Sequence, residues 1–333
     1  MPPCASPDEL LDYLAGRLDA RGTAQMREHV AGCSSCHAIA CDLVHAAARG
    51  GARPPRARVQ SYALEPGGVV AGRYELESCL GEGGMGSVWS AVRRDDGARV
   101  AIKLLKGFGV NARRRFQREA AIASSLVHDE LVRVLEVLDD VEAGCPALVM
   151  ERLEGEPLSA RLHRGPLTAG DARTIGASVA RALVYVHDAS IVHRDLSLAN
   201  VFLVAGGVKV LDLGLATLLD ESAGGVATRI TRTGQVVGTL SCMAPEQMAG
   251  ERATSAVDVW ALGTILHASV SGAPPFAGRT AAELLRAIAT SAPARLDVPY
   301  ADLVLEMLRA APSERPSMHE VRSALVGAGP GAR

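Results

Sequence analysis

Residues 81–86 read Gly81-Glu82-Gly83-Gly84-Met85-Gly86, with Ser87 and Val88 following. Glycines at this spacing let backbone N–H groups approach phosphate oxygens with no side chain in the way. The same spacing opens dinucleotide-binding folds, but there the loop runs from a strand into a helix. Here it returns into a β-type run, Val88-Trp89-Ser90-Ala91-Val92. Seventeen residues after Gly86, Val100-Ala101-Ile102-Lys103 puts a lysine in a strand. Helical Phe116-Gln117-Arg118-Glu119 supplies an acid that would hold that lysine against phosphates. Further on stand His193-Arg194-Asp195-Leu196-Ser197-Leu198-Ala199-Asn200, Asp212-Leu213-Gly214 and Ala244-Pro245-Glu246. A separate cluster lies near the N-terminus. His29, Cys33 and Cys36 form an H-x3-C-x2-C pattern, and Cys4 would complete a tetrahedral Cys3His metal site.

The elements that must position these residues fall into three regions. Residues 1–48 read as two short helices, the first opened by a capping box at Ser6-Pro7-Asp8-Glu9 and carrying Leu10, Leu11, Leu14 and Leu18 on one face. A break at residues 19–22 precedes the second helix, with Met26, His29, Val30 and Cys33. Residues 49–70 are a linker, with Gly50-Gly51, Pro54-Pro55 and no periodicity. From residue 73, strands are expected over 74–80, 87–92 and 99–104, then a helix over 111–125 and strands near 132–137 and 147–150. Beyond Glu154 the pattern is helical, apart from short β segments around Val201 and Val208. The fold class is α+β and two-lobed, a β-rich lobe over 73–152 and a helical lobe over 156–327 within a domain of 71–327, with a hinge near 150–155.

In this order and spacing the motifs resemble the eukaryotic-like protein kinase superfamily, and within it the bacterial serine/threonine branch, over residues 73–326. The resemblance implies ATP and Mg²⁺ as cofactors and a protein serine or threonine hydroxyl as acceptor. Lys103 would neutralise the α- and β-phosphates and Glu119 would orient it. Asp195 would accept the acceptor hydroxyl's proton, and Asn200 and Asp212 would hold Mg²⁺. The nucleotide would lie against Gly81, Gly83, Gly84 and Gly86. Leu80, Val88, Ala101, Met150, Leu153 and Phe202 would line the adenine pocket, and backbone groups of Glu151 and Leu153 would pair with the ring. Residues 258–263 resemble the central buried helix of the large lobe, and Glu246 and Arg315 would form its internal ion pair.

Between Gly214 and Ala244, Thr231 and Thr233 are the candidate phosphosites, because a phosphate there would give Arg194 a dianionic partner. The family's usual lysine two residues after the catalytic aspartate is Ser197 here. Losing such a donor costs roughly 3 kcal/mol of transition-state stabilisation. Leu213 replaces the commoner phenylalanine of the magnesium motif. The alternative reading is a pseudokinase, a regulatory binding protein without efficient transfer.

The N-terminal cluster resembles the zinc-binding anti-sigma-factor domain, which implies zinc on Cys4, His29, Cys33 and Cys36 and a sigma factor or other regulator as partner. A module of this size has little core, and a metal would supply stability. A metal-free dithiol sensor and plain buried cysteines stay open as readings. Cys33-Ser34-Ser35-Cys36-His37 also spells the haem-attachment pattern, which requires export. Cys79, Cys145 and Cys242 read as small apolar fillers, and His163, His187 and His267 as ordinary surface or core histidines without a visible partner.

Composition excludes several classes. With 35 Lys and Arg against 37 Asp and Glu, the net charge is -2, against a nucleic-acid partner. Arg113-Arg114-Arg115 reads as a solvated helix face. The opening Met1-Pro2-Pro3-Cys4 has no basic region followed by an apolar run, and the most apolar segment, 257–270, is short and interrupted. A cytoplasmic location without a membrane partner is therefore expected, where the seven cysteines would be reduced.

Overall fold

The computed structural model describes residues 13, 18–33, 65–83, 86–105, 120, 123–141, 145–213, 240–278 and 280–327. Two compact units divide the chain, Met1–Ser61 and Tyr62–Arg333. Among the described residues no helix is long and apolar enough to cross a membrane.

In the first unit, helix α1 spans Ala20–Gly32. The break expected at 19–22 is shorter than its sequence suggested. Asp19 is the N-cap, and its carboxylate accepts from Gly22 N at 2.7 Å, so the turn residues already belong to the helix. The earlier capping box at Ser6 lies outside the described residues.

The second unit begins with strands β1 (Val69–Val70), β2 (Tyr74–Gly83), β3 (Gly86–Arg93), β4 (Arg99–Leu105), β5 (Val134–Val141) and β6 (Cys145–Glu151). They form one sheet in the order β1-β2-β3-β4-β6-β5, antiparallel throughout. Strand alternation divides its side chains between two faces. Tyr74, Leu76, Trp89, Ala91, Val100, Ile102 and Val149 pack on one face; Ala101, Leu105, Leu148 and Met150 pack on the other, joined by Val88 and Leu153. Of the helix expected over 111–125, Ala120 and residues 123–125 are described and helical.

After the hinge come β7 (Gly155–Pro157), helices α2 (Leu158–Leu162) and α3 (Ala169–Asp188), then β8 (Val201–Val204) and β9 (Gly207–Val210). Strand β7, which the sequence hid behind a Gly and a Pro, exists because it pairs with β8 (Gly155↔Val204, Pro157↔Phe202). Gly155 has φ 145, and a Cβ there would lie 1.9 Å from the Leu203 carbonyl oxygen, so this contact admits only glycine.

The large lobe is completed by α4 (Pro245–Met248), α5 (Ala256–Ser271), α6 (Ala281–Thr290), α7 (Ala301–Met307) and α8 (Met318–Gly327). Helix α5 is apolar around its whole circumference, and residues 257–269 are all buried, as suits a helix enclosed on every side. It packs with α3, α7 and α8 around Trp260, Leu262 and Ile265. Each fully buried Leu or Ile of this core contributes about 2 kcal/mol of burial free energy.

Candidate active site

The sheet register places the small lobe's contribution. Val88 on β3 lies opposite Lys103 on β4, and Lys103 opposite Leu148 on β6; one step along, Ala101 lies opposite Met150. Directly opposed residues share a face, so Val88, Ala101, Lys103 and Met150 project from the same side. Val88, Ala101, Met150 and Leu153 gather in one apolar cluster with Leu211, which precedes Asp212. Leu80 is 42% exposed at the rim. Phe202 on β8 is partly buried beneath Gly155. At Gly86, φ is 149 and a Cβ would fall 1.9 Å from Leu104 O, so the return of the loop into β3 demands glycine. Gly81 and Gly83 lie open above it, while Gly84 is outside the described residues.

Lys103 reaches across to the large lobe, where its Nζ meets Asp212 Oδ1 at 2.7 Å. Asp212 has φ 53, a left-handed conformation that is uncommon for any residue but glycine. Its strain is held by the β-bridge beside it: Leu131 pairs with Val210, and Leu211 N donates to Asn200 O at 2.8 Å. Glu119 lies outside the described residues, and so do Thr231 and Thr233.

The segment carrying Asp195 is fixed through its backbone. Asp258 of α5, 1% exposed, accepts from His193 N at 2.8 Å and from Arg194 N at 2.9 Å. His187 shares the same carboxylate, with Nε2 2.8 Å from Oδ2. The His193 ring is fully buried, its Nε2 2.9 Å from Leu211 O. Asp195 N donates to His193 O at 2.8 Å, and Asp195 O accepts from Asn200 Nδ2 at 2.7 Å. With its NH₂ committed to that carbonyl, the Asn200 amide offers its Oδ1 as an oxygen donor. Ser197 is buried, and its carbonyl accepts from Asn200 N.

These donors fit magnesium and nucleotide. Asn200 and Asp212 present hard oxygens, which Mg²⁺ prefers. The Lys103–Asp212 pair is a charge pair that Mg²⁺–triphosphate would replace, the carboxylate turning to metal and the ammonium to phosphate. In the first unit, His29 sits in the last turn of α1 and Cys33 caps it, both half-buried; Cys4 and Cys36 lie outside the described residues.

Several contributors were silent in the sequence. Glu151 does more than offer its backbone: its Oε1 accepts from Lys209 Nζ and from Arg133 N, both at 2.8 Å, tying the hinge to β9. His187 and His267 both have partners, His267 between the carbonyls of Ala273 and Ala294. Cys79 is exposed, which corrects its reading as a buried filler. Cys242 is buried, and burial pushes its thiol up. Arg315 and Glu246 form the expected ion pair, at 2.6 and 2.8 Å.

Residues 74–325 match the protein kinase domain, and residues 8–37 match a putative zinc-finger family. A probable serine/threonine-protein kinase of Corynebacterium efficiens is 39% identical over 219 residues, 64% of this chain and 33% of that protein. Serine/threonine-protein kinase PkaA of Streptomyces coelicolor is 36% identical over 278 residues, 77% of this chain and 50% of the relative. The crystal structure of the Mycobacterium tuberculosis PknI kinase domain, a double mutant, is similar with a TM-score of 0.60 and 25% identity, covering 80% of this chain and 99% of that one. The chain spans between 33% and 50% of the length of these two curated relatives. A lysine from the sheet meets an aspartate from the helical lobe beside a backbone-locked Asp195, in a domain matched from residue 74 to 325, and the chain belongs to the protein kinase family.

Proposed function

We propose that this chain transfers the γ-phosphoryl group of ATP to serine and threonine hydroxyls of proteins, its own activation segment among them. The observation that carries the reading is Lys103 Nζ at 2.7 Å from Asp212, which unites the phosphate-binding and metal-binding motifs across the two lobes. The acceptor hydroxyl oxygen attacks the γ-phosphorus, and the bond from that phosphorus to the β–γ bridging oxygen breaks. ADP leaves with the bond's electron pair, and Asp195 takes the hydroxyl proton. Lys103 holds the α- and β-phosphates in line. Asn200 and Asp212 would hold magnesium, which when bound screens the charge of the phosphate oxygens. The buried Ser197 leaves the transferring phosphate without the customary lysine, so a modest rate is expected.

The test is labelled ATP with magnesium on the whole chain, followed by phosphosite mapping by mass spectrometry. Label on Thr231 or Thr233 is the expected result, since phosphate there would meet Arg194. Bound ATP with no label anywhere overturns transfer and leaves a nucleotide-dependent regulator.

Residues 1–48 are proposed as a zinc-holding regulatory module on Cys4, His29, Cys33 and Cys36. The placement of His29 in the last turn of α1 with Cys33 at its end supports this, since it sets two ligand types at the spacing a tetrahedral site uses. Elemental analysis should find about one zinc per chain, falling sharply in Cys33→Ser. A chain purified without chelators that carries no zinc overturns the assignment.

A further inference from the structure

We infer that Gln247 is a positioning residue that clips the end of the activation segment to the backbone of the catalytic loop. Its half-buried side chain makes two hydrogen bonds in opposite senses. Oε1 accepts from Ala244 N at 3.1 Å, and Nε2 donates to Arg194 O at 2.9 Å, 53 residues away in the chain. The first bond is half of a capping box for α4, the helix begun by Pro245. A cap alone would be served as well by glutamate, whose charge also suits a helix N-terminus. Glutamate, however, has no hydrogen to give Arg194 O. Only the amide satisfies both partners.

The second bond falls where the backbone most needs it. Arg194 is left-handed, with φ 63. The peptide group that joins it to Asp195 is gripped at its N–H by His193 O and at its C=O by Gln247. The preceding N–H groups are held by Asp258, and Asp195 O by Asn200. Asp258 and Asn200 belong to the core helix and to the loop itself. Gln247 contributes to this frame from the activation segment's end. It therefore links the ordering of residues 240–247 to the direction in which Asp195 points. Because misplacement by about 1 Å costs roughly 100-fold in rate, the link sets kcat and leaves nucleotide affinity alone.

This inference rests on the proposed phosphoryl transfer. The experiment compares the full chain with Gln247→Glu and Gln247→Met, using labelled MgATP and dephosphorylated casein as acceptor. Melting temperature and hydrogen exchange over residues 190–200 are read on the same samples. Gln247→Glu keeps the cap and faces Arg194 O with a second acceptor; Gln247→Met loses both bonds at similar volume. The expected result is a fall in kcat of roughly 100-fold in both, an unchanged KM for ATP, faster exchange at Asp195, and an unchanged melting temperature in Gln247→Glu. Wild-type kcat and wild-type protection in both variants overturn the inference while transfer stands. If the unaltered chain transfers nothing, the functional reading falls instead. Exchange at Asp195 then decides the clip alone: unchanged protection in Gln247→Met removes it.

Discussion

Asp195→Asn is expected to lower kcat about 1,000-fold, near 4 kcal/mol of barrier, while ATP affinity stays within about twofold. The substitution exchanges a carboxylate for an amide of the same shape. Two bonds hold the loop at this position through the backbone: Asp195 N to His193 O, and Asn200 Nδ2 to Asp195 O. Those backbone bonds survive the change, so the loop itself is expected to keep its fold. What disappears is a group that can take the acceptor's proton. The residues proposed to bind nucleotide, Lys103, the glycine-rich segment and the apolar cluster of Val88, Ala101 and Met150, are not altered. Equilibrium ATP binding and single-turnover transfer, measured side by side, separate the two effects. Transfer at the wild-type rate in this variant would take the proton-accepting role away from Asp195.

The residues proposed to do chemistry could be picked out in the sequence because the chemistry restricts residue type at each point. The glycine spacing was read for phosphate approach, and at Gly86 the fold demands it as well, since a Cβ there would lie 1.9 Å from Leu104 O on β4. A metal needs oxygen donors, and Asn200 and Asp212 stand in a fixed order. The strands of the small lobe were legible in kind from their Val, Leu and Ile runs, though β2 continues to Gly83, beyond the expected end at 80, because it pairs with β3 as far as Gly83↔Gly86. The supporting residues were not legible. Gln247 is separated from Arg194 by 53 positions, and Lys209 from Glu151 by 58. Nothing local in either sequence window marks the partner, since only the packed fold brings them together. Asp258 was placed on the central helix by its motif. Its three-way role, with His187 and the amides of His193 and Arg194, emerges only when α3 and α5 are packed. Strand β7 failed for a different reason. Its three residues carry turn-type Gly and Pro, and the pairing with β8 overrides that local preference.

Arg315→Met is expected to cost about 3–5 kcal/mol of folding stability. All five N–H groups of this guanidinium are spoken for. Nη1 donates to Glu246 Oε1 and Ala256 O, Nη2 to Glu246 Oε2 and Ala310 O, and Nε to Arg309 O. Its side chain has no exposed surface, and the guanidinium lies 5.0 Å from the Trp260 ring centroid. Removing it strands a buried carboxylate and three carbonyl oxygens in the same stroke. Lysine keeps the charge but cannot fill a planar, five-donor site, so Arg315→Lys should also lose stability. Urea unfolding of the isolated variants gives the numbers. The double variant Arg315→Met, Glu246→Leu should be less destabilised than the sum of the singles, because the orphaned charge goes with its partner. A single-variant loss below about 1 kcal/mol would show that the pair is not buried in solution. The consequence extends past stability. Glu246 and Gln247 are neighbours on α4, one anchored to Arg315 and the other to Arg194 O. An α4 freed from Arg315 no longer holds Gln247 in place, so the same substitution is expected to lower kcat at temperatures where the chain is still folded.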